Sequence, residues 1–288
     1  MRDAGGGLAR ARGELMEKAK PRAATGAECF AGGVREPRGG AINPLAYARG
    51  LARACLARGV RIFGESKAER LERDGTGWRV ILPRGEILAG KVVLATNAYS
   101  DNLWKGLKRT ILPVRTPQVV SDPLPDDVAR TILPGREIMS DTRKLIVGVR
   151  THPDGRLHLG GRGGVTGADR KAPFERLIAE ARNLYPDLPP LTWRYQWSGF
   201  VALTPDFYPR LFELAPGVAS CLGYSGRGVA MATLMGRELS GWAQGAHIDD
   251  LILPQSRFRT LPYYDFRSIA VEGSMAWYRL QEKLSRNS

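Results

Sequence analysis

The sequence is poor in the residues that build metal centres and covalent crosslinks. Its 288 residues include only three cysteines, Cys29, Cys55 and Cys221, far apart and without a CxxC pair. That spacing supports neither a disulfide framework nor a zinc site. The histidines are also three, His152, His158 and His247, so a histidine-rich centre is not supported and no metal is expected. No apolar run approaches the length of a membrane span. Met1 to Lys20 carries Gly, Arg and Ala where a secretory signal would hold a continuous apolar stretch. A cytoplasmic protein with no membrane partner is the expectation. Acidic charge is in deficit: 43 basic against 29 acidic residues give a net charge of +14. The basic residues, 34 Arg and 9 Lys, are scattered among acids as in "AERLERDG". There is no basic stripe, so no nucleic-acid partner is expected.

What is present fits a globular chain with 43% hydrophobic residues and enough length for one large or two smaller domains. "LARARGELMEKAK" reads as a short helix that "PRAATG" breaks. Asn43 is placed to cap a helix with Pro44 in its first turn, and "LAYARGLARACLARG" repeats apolar positions at helical spacing until Gly59. Short strands follow at "VRIF" (60–63), "GWRVIL" (77–82) and "KVVLAT" (91–96), separated by turn residues. From Pro113 to Tyr195 strand-like pieces alternate with Pro and Gly turns around one helix at 172–184, which reads as a second, mainly antiparallel domain. "WSGFVALTPDFYPRL" reads as a connection, "VASCLG" (218–223) as a strand, 228–243 as a helix, and "FRSIAVEGSMAWYRLQEKL" as a closing helix. "GGRG" at Gly160 to Gly163 reads as a hairpin end ahead of a ligand contact.

The chemistry concentrates in "GYSGRGVAMATLMG". A strand, a turn with Gly223, Gly226 and Gly228, and a helix starting at Val229 present unpaired N–H groups and the positive end of a helix dipole to an electron-rich ligand. The spacing is not G-x-G-x-x-G, because Met231 stands where the third glycine belongs, and no βαβ unit with a terminal acid follows. From these residues alone a tight strand-to-helix turn without a ligand remains open.

"GGAINPLAYARGLARAC", "KVVLATNAYS", "DGRLHLGGRG", "YQWSGFVALTPDFYP" and "GYSGRGVAMATLMGRELSGWAQG", in this order, resemble the D-amino-acid oxidase superfamily of FAD-dependent oxidoreductases, in particular its bacterial amine-oxidising branch. The resemblance runs from about Cys29 to the C-terminus. It implies an α/β (α+β) fold: an incomplete FAD-binding Rossmann-like domain over 31–110 and 196–288, an inserted antiparallel substrate domain over 111–195, and a poorly defined segment 1–30. It implies FAD as cofactor, with Gly223, Tyr224, Ser225, Gly226, Arg227, Gly228 and Val229 along the flavin's pyrimidine edge. The backbone around Ala68, in a strand "ESKAERL", would meet the adenine, and Ala95, Thr96 and Asn97 would lie by the ADP half. A helix N-terminus at the pyrimidine edge would stabilise the reduced, anionic flavin.

Substrate class follows from a departure. Members that oxidise free α-amino acids commonly have an arginine after the glycine of the segment matching "SGFVALTPD", where it clamps the carboxylate. Here Val201 and Ala202 stand there, which favours an amine or N-substituted amino compound, although Arg162 or Arg227 could supply a clamp. Tyr195 and Trp197 are candidates to line the amine pocket, or core aromatics. The implied reaction is hydride transfer from the C–N carbon to the flavin, with no acid–base dyad. The family's leading strand, G-x-G-x-x-G turn and helix are not found; "GGG" at Gly5 to Gly7 follows no strand. The expectation is therefore a truncated form whose exposed sheet edge a second chain or dimer would cover, or else a non-catalytic remnant without FAD.

Overall fold

A computed structural model describes residues 13–17, 19–165 and 171–286, apart from the side chains of 283, 285 and 286. In chain order the elements are β1 (Glu14–Glu17), α1 (Ala19–Thr25), β2 (Gly32–Arg35), α2 (Pro44–Leu56), β3 (Arg70–Asp74), β4 (Gly77–Leu82), β5 (Gly85–Ala89) and β6 (Val92–Leu94). They continue with β7 (Leu112–Pro123), α3 (Asp126–Ala129), β8 (Met139–Ser140), β9 (Val147–Thr151), β10 (Arg156–Gly161) and α4 (Ala172–Leu184). The last are β11 (Tyr195–Leu203), β12 (Arg210–Ala215), β13 (Val218–Leu222), α5 (Gly228–Ala243) and α6 (Arg267–Arg286). This mixture of helices and antiparallel sheets is the expected fold class.

Among the described residues the chain forms two compact units, one of 13–42, 117–162 and 171–197, the other of 43–116, 163–165 and 198–286. The first is built on the sheet order β11-β7-β10-β9-β8, of which it holds β8, β9, β10 and the parts of β7 and β11 over 117–123 and 195–197. Register fixes its two faces. Leu159 lies opposite Val119 and Val149, and these side chains pack against Leu177, Ala181 and Leu184 of α4 in one core. The spacing of those three on α4, four and three residues apart, is what an amphipathic helix lays on a sheet. Arg143 links α4 to the sheet's edge, donating to Asp141 at 2.6 Å and to Glu180 at 2.9 Å.

The second unit holds two three-stranded sheets, β3-β4-β5 and β12-β13-β6. In the latter, β13 runs parallel to β6, with Ala219 opposite Val93, and antiparallel to β12. All five residues of β13 are buried, as expected of a strand covered on both faces. One face packs with Trp78, Leu94 and Phe212, the other with Met235, Leu239 and Trp242 of α5. Asn43 caps α2 as anticipated, its Oδ1 accepting from the Ala46 N–H at 3.0 Å with Pro44 in the first turn.

Four local expectations are corrected. Val60–Phe63 joins no ladder among the described residues; among them β6 has β13 on one side and no strand on the other, and a strand without a partner has no hydrogen bonds to hold it. Ala68 precedes β3, which begins at Arg70, so "ESKAERL" is not a continuous strand. The helix anticipated at 8–20 is instead strand β1, paired antiparallel with β2, followed by α1; residues 8–12 lie outside the described residues. Pro21 does not break α1 because it sits in the first turn, where its missing N–H has no intrahelical partner anyway. Finally, "YQWSGFVAL" is the nine-residue strand β11 and not a connection; its Pro205 falls just beyond the end.

Candidate functional site

β6 and β13 are parallel neighbours, so the loops leaving their carboxyl ends emerge together, which is where open α/β sheets place their ligands. The loop after β13 is the glycine turn. Gly223, Ser225 and Gly226 all have positive φ, at 79°, 50° and 91°, and this sequence of left-handed residues turns the chain from the strand into α5. The Gly223 N–H donates to Asn97 Oδ1 at 3.0 Å, so the first residue beyond β6's "LAT" holds the first residue of the turn. Asn97 itself has a φ of 42°, a conformation asparagine tolerates better than most residues. Ser225 Oγ lies 3.3 Å from Thr204 Oγ1, and the Arg227 guanidinium donates to the Phe207 carbonyl.

The turn exposes its glycine backbone and hides the Tyr224 side chain. Tyr224 is buried in the core beneath α5, its hydroxyl donating to the Cys221 carbonyl at 2.9 Å. Burial pushes up the pKa of both Tyr224 and Cys221, the latter to about 11; both are neutral structural groups. Gly226 and Gly228, by contrast, face open space: a Cβ built on either meets no atom within 4 Å. α5 begins at Gly228 with no side-chain cap from Arg227 and no acid in its first turn. Its leading N–H groups and the positive end of its dipole are thus available to an electron-rich partner. Val229 is exposed at the helix start, and Ala95 and Thr96 are exposed at the end of β6, Thr96 Oγ1 lying 2.7 Å from Ser100 Oγ. The structure therefore brings together Asn97 and Gly223 directly and keeps Tyr224 turned away, while Ala68 lies ahead of β3.

Tyr195 and Trp197 are not core residues: they are 50% and 45% exposed. Both lie in the first unit, where Arg156 stands over the Tyr195 ring at 5.4 Å and the Trp197 ring lies 5.3 Å from that of His158. His158 is the centre of a polar array absent from the sequence-level candidates. Arg150 Nε donates to its Nδ1 at 3.0 Å, His152 Nε2 lies 2.9 Å from the same atom, and its Nε2 lies 2.8 Å from Gln118 Oε1. Because an arginine can only donate, Nδ1 is the unprotonated nitrogen and Nε2 carries the proton that it gives to Gln118. Burial, then the neighbouring Arg150 and His152, push the His158 pKa down to about 3. The imidazole is neutral.

A model of the family described as FAD dependent oxidoreductase matches residues 2–242. The chain belongs to this family. Among curated relatives, a probable oxidoreductase OrdL of Rhizobium meliloti is 30% identical over 93% of this chain and 63% of its own length. Gamma-glutamylputrescine oxidoreductase of Escherichia coli is 29% identical over 94% of this chain and 64% of its own. The chain thus spans less than two thirds of the length of these relatives. Among solved structures, glycine oxidase from Geobacillus kaustophilus superposes with a TM-score of 0.72 at 20% identity, over 86% of this chain and 67% of that one. The last likeness establishes the fold.

The family's cofactor is FAD, and the glycine turn fits part of it. Two bare glycines beside an uncapped helix N-terminus admit a flat, electron-rich ring edge that side chains at those positions would hold away. Gly223 differs from them: a Cβ there would fall 2.5 Å from Thr204 Cγ2, so this glycine is required by the fold itself. Among the described residues no helix is long and apolar enough to cross a membrane.

Proposed function

We propose that the protein takes part in the FAD-dependent oxidation of an amine or N-substituted amino compound. One observation carries this reading: the glycine turn at the carboxyl ends of β6 and β13 offers bare backbone and an uncapped helix start, a fixed positive end of the kind that favours a reduced flavin. FAD, when bound, supplies the acceptor for the hydride leaving the substrate's C–N carbon. The chain's own part is binding and electrostatics. The N–H groups of Gly226, Gly228 and Val229 would hold the pyrimidine edge, while that of Arg227 closes the turn on the Tyr224 carbonyl, and the α5 dipole would favour the negative charge that reduction places there. Ala95, Thr96 and Asn97, with the backbone near Ala68, would serve the ADP half, and Asn97 fixes the turn through Gly223. Tyr195 and Trp197 would line the surface that takes up the substrate's carbon chain. The segments 31–110 with 196–288 would form the cofactor part and 111–195 the substrate part.

Among the described residues no strand pairs with the far edge of β6, and Val60, Ile62 and Phe63 in the same unit are more than half exposed. Such an edge invites strand pairing, and we infer a polypeptide partner there, in the simplest case a second copy. Anaerobic addition of amines to the FAD-loaded protein tests the function. Bleaching of the oxidised flavin band by an amine, with the corresponding carbonyl product on work-up, is the expected result; an unbleached spectrum with every amine tried would overturn it.

A further inference from the structure

Helix α6 has two apolar faces, and the fold of one chain buries a single one of them. Tyr264 is buried immediately ahead of α6, where the Arg109 and Arg267 guanidiniums stand 5.3 Å and 4.2 Å from its ring. The Arg109–Asp265 ion pair, at 2.7 Å, ties the same point to the unit. Val271 and Met275, both buried, carry this inner line along the helix. At 3.6 residues per turn, positions 264, 271 and 275 fall on one side and 266, 273, 277, 280 and 284 on the opposite side. That outer side is apolar as well. Phe266, Ile269, Trp277, Leu280 and Leu284 are 48–73% exposed, and Ala270 and Gly273 between them are exposed too. No charged residue interrupts this stripe; Glu272 and Arg279 stand to one side of it.

A surface helix of a monomer turns polar residues outward, and monomers rarely leave an apolar patch of more than a few hundred Å² in water. Five large side chains at this exposure present roughly 100 Å² each, so the stripe offers on the order of 500 Å². That is over half of the roughly 800 Å² that each partner brings to a standard interface, spread along a helix about 30 Å long. Tyr263, 84% exposed, adjoins its start and adds to the area.

The order of large and small residues along the stripe says what fits it. If two copies of α6 lie antiparallel about a two-fold axis level with residue 275, Gly273 of one meets Trp277 of the other, Ala270 meets Leu280, and Phe266 meets Leu284. Each contact occurs twice, as a two-fold axis requires. Small stands against large nearest the axis. Gly273 has no other explanation in the fold: glycine is a poor residue for a helix interior, and a Cβ built there meets no atom within 4 Å. A lipid surface would be better served by a large apolar residue at 273, whereas a second copy of the chain needs a small one there. We propose that the outer face of α6 is a homodimer interface, in which two copies pair antiparallel through Gly273 and Trp277. This surface belongs to a different element from the β6 edge, and it needs neither flavin nor amine.

Sedimentation equilibrium over a dilution series reads the mass of the purified protein. All forms carry Ile62→Glu, which opposes association through the exposed residues 60–63. The Ile62→Glu parent should be a dimer. Adding Trp277→Glu should weaken the dimer at least about a hundredfold, because a central tryptophan is lost from both copies. Gly273→Trp alone should weaken it at least about tenfold through the clash with Trp277, and Gly273→Trp with Trp277→Gly should return to within about tenfold of the parent, since large and small are exchanged across the axis. Circular dichroism reports that each variant is folded, and Leu280→Glu on the same stripe replaces any that is not. Flotation with phosphatidylcholine–phosphatidylglycerol vesicles is run in parallel. A parent that is monomeric at every concentration, whether or not it floats with vesicles, would overturn the assignment. So would a dimer that persists in both Trp277→Glu and Leu280→Glu, or an exchanged pair no tighter than Gly273→Trp alone.

Discussion

Replacing Asn97 separates two contributions that coincide at one position. Its Oδ1 accepts the Gly223 N–H at 3.0 Å, and its backbone sits at a φ of 42°. Asn97→Ala loses both features. A buried N–H left without a partner costs about 1–3 kcal/mol, and forcing an alanine Cβ into the left-handed region costs roughly 1–2 kcal/mol, part of which asparagine already bears. The sum is about 2–4 kcal/mol. Asn97→Gly removes the acceptor but frees the dihedral, at an entropic cost that offsets the relief, so about 1–3 kcal/mol remains. Asn97→Asp keeps the acceptor and should stay within about 1 kcal/mol of wild type above the carboxylate's titration range. Urea unfolding gives the order, and hydrogen exchange at the Gly223 amide locates it, because protection should collapse in Asn97→Ala and Asn97→Gly and persist in Asn97→Asp. Equal stability of Asn97→Gly and wild type, with the Gly223 amide still protected, would refute the claim that this hydrogen bond holds the turn.

Two further outcomes follow from neighbouring features. Gly228→Val has room for its side chain and an ordinary φ, so it should fold with stability within about 1 kcal/mol of wild type yet lose the flavin-induced shifts of the turn; Gly226→Val, at a φ of 91°, should be destabilised by roughly 1–2 kcal/mol in urea. His158 has a folded-state pKa depressed from 6.5 to about 3. The unfolded chain therefore binds the extra proton first, and stability should fall as pH drops from near 7 towards 3, by up to about 1.4 kcal/mol per pH unit. His158→Gln should flatten this part of a urea-midpoint profile, and an unchanged slope would show that the imidazole is charged or not buried in solution.

Much of the site was legible because it is local. The strand at 218–222, the turn and the helix from 228 are coded by consecutive residues: a buried apolar run, then glycines where φ must be positive, then small apolar residues at helical spacing. α4 and the cap at Asn43 were legible for the same reason. Features that depend on a partner were not. "VRIF" has strand composition, but whether it joins a sheet is decided by a neighbouring edge. "YQWSGFVAL" contains a Gly and precedes a Pro, and only its place beside β7 makes it a strand. The Arg150–His158–Gln118 array is built across three strands by register, from residues up to 40 positions apart in sequence. A hairpin signal was present in Asp154-Gly155, flanked by alternating residues; following its register would have set Arg150 opposite His158.

The proposed oxidation depends on the flavin's ring lying on the glycine turn. The most direct measurement is a titration of FAD into the ¹⁵N-labelled protein, with all backbone amides followed at once. Saturable shifts at Gly226, Arg227, Gly228 and Val229, accompanied by Thr96 and Asn97 and abolished in the turn by Gly228→Val, are the predicted result. Saturable FAD binding that leaves the amides of residues 226–229 unmoved would contradict it.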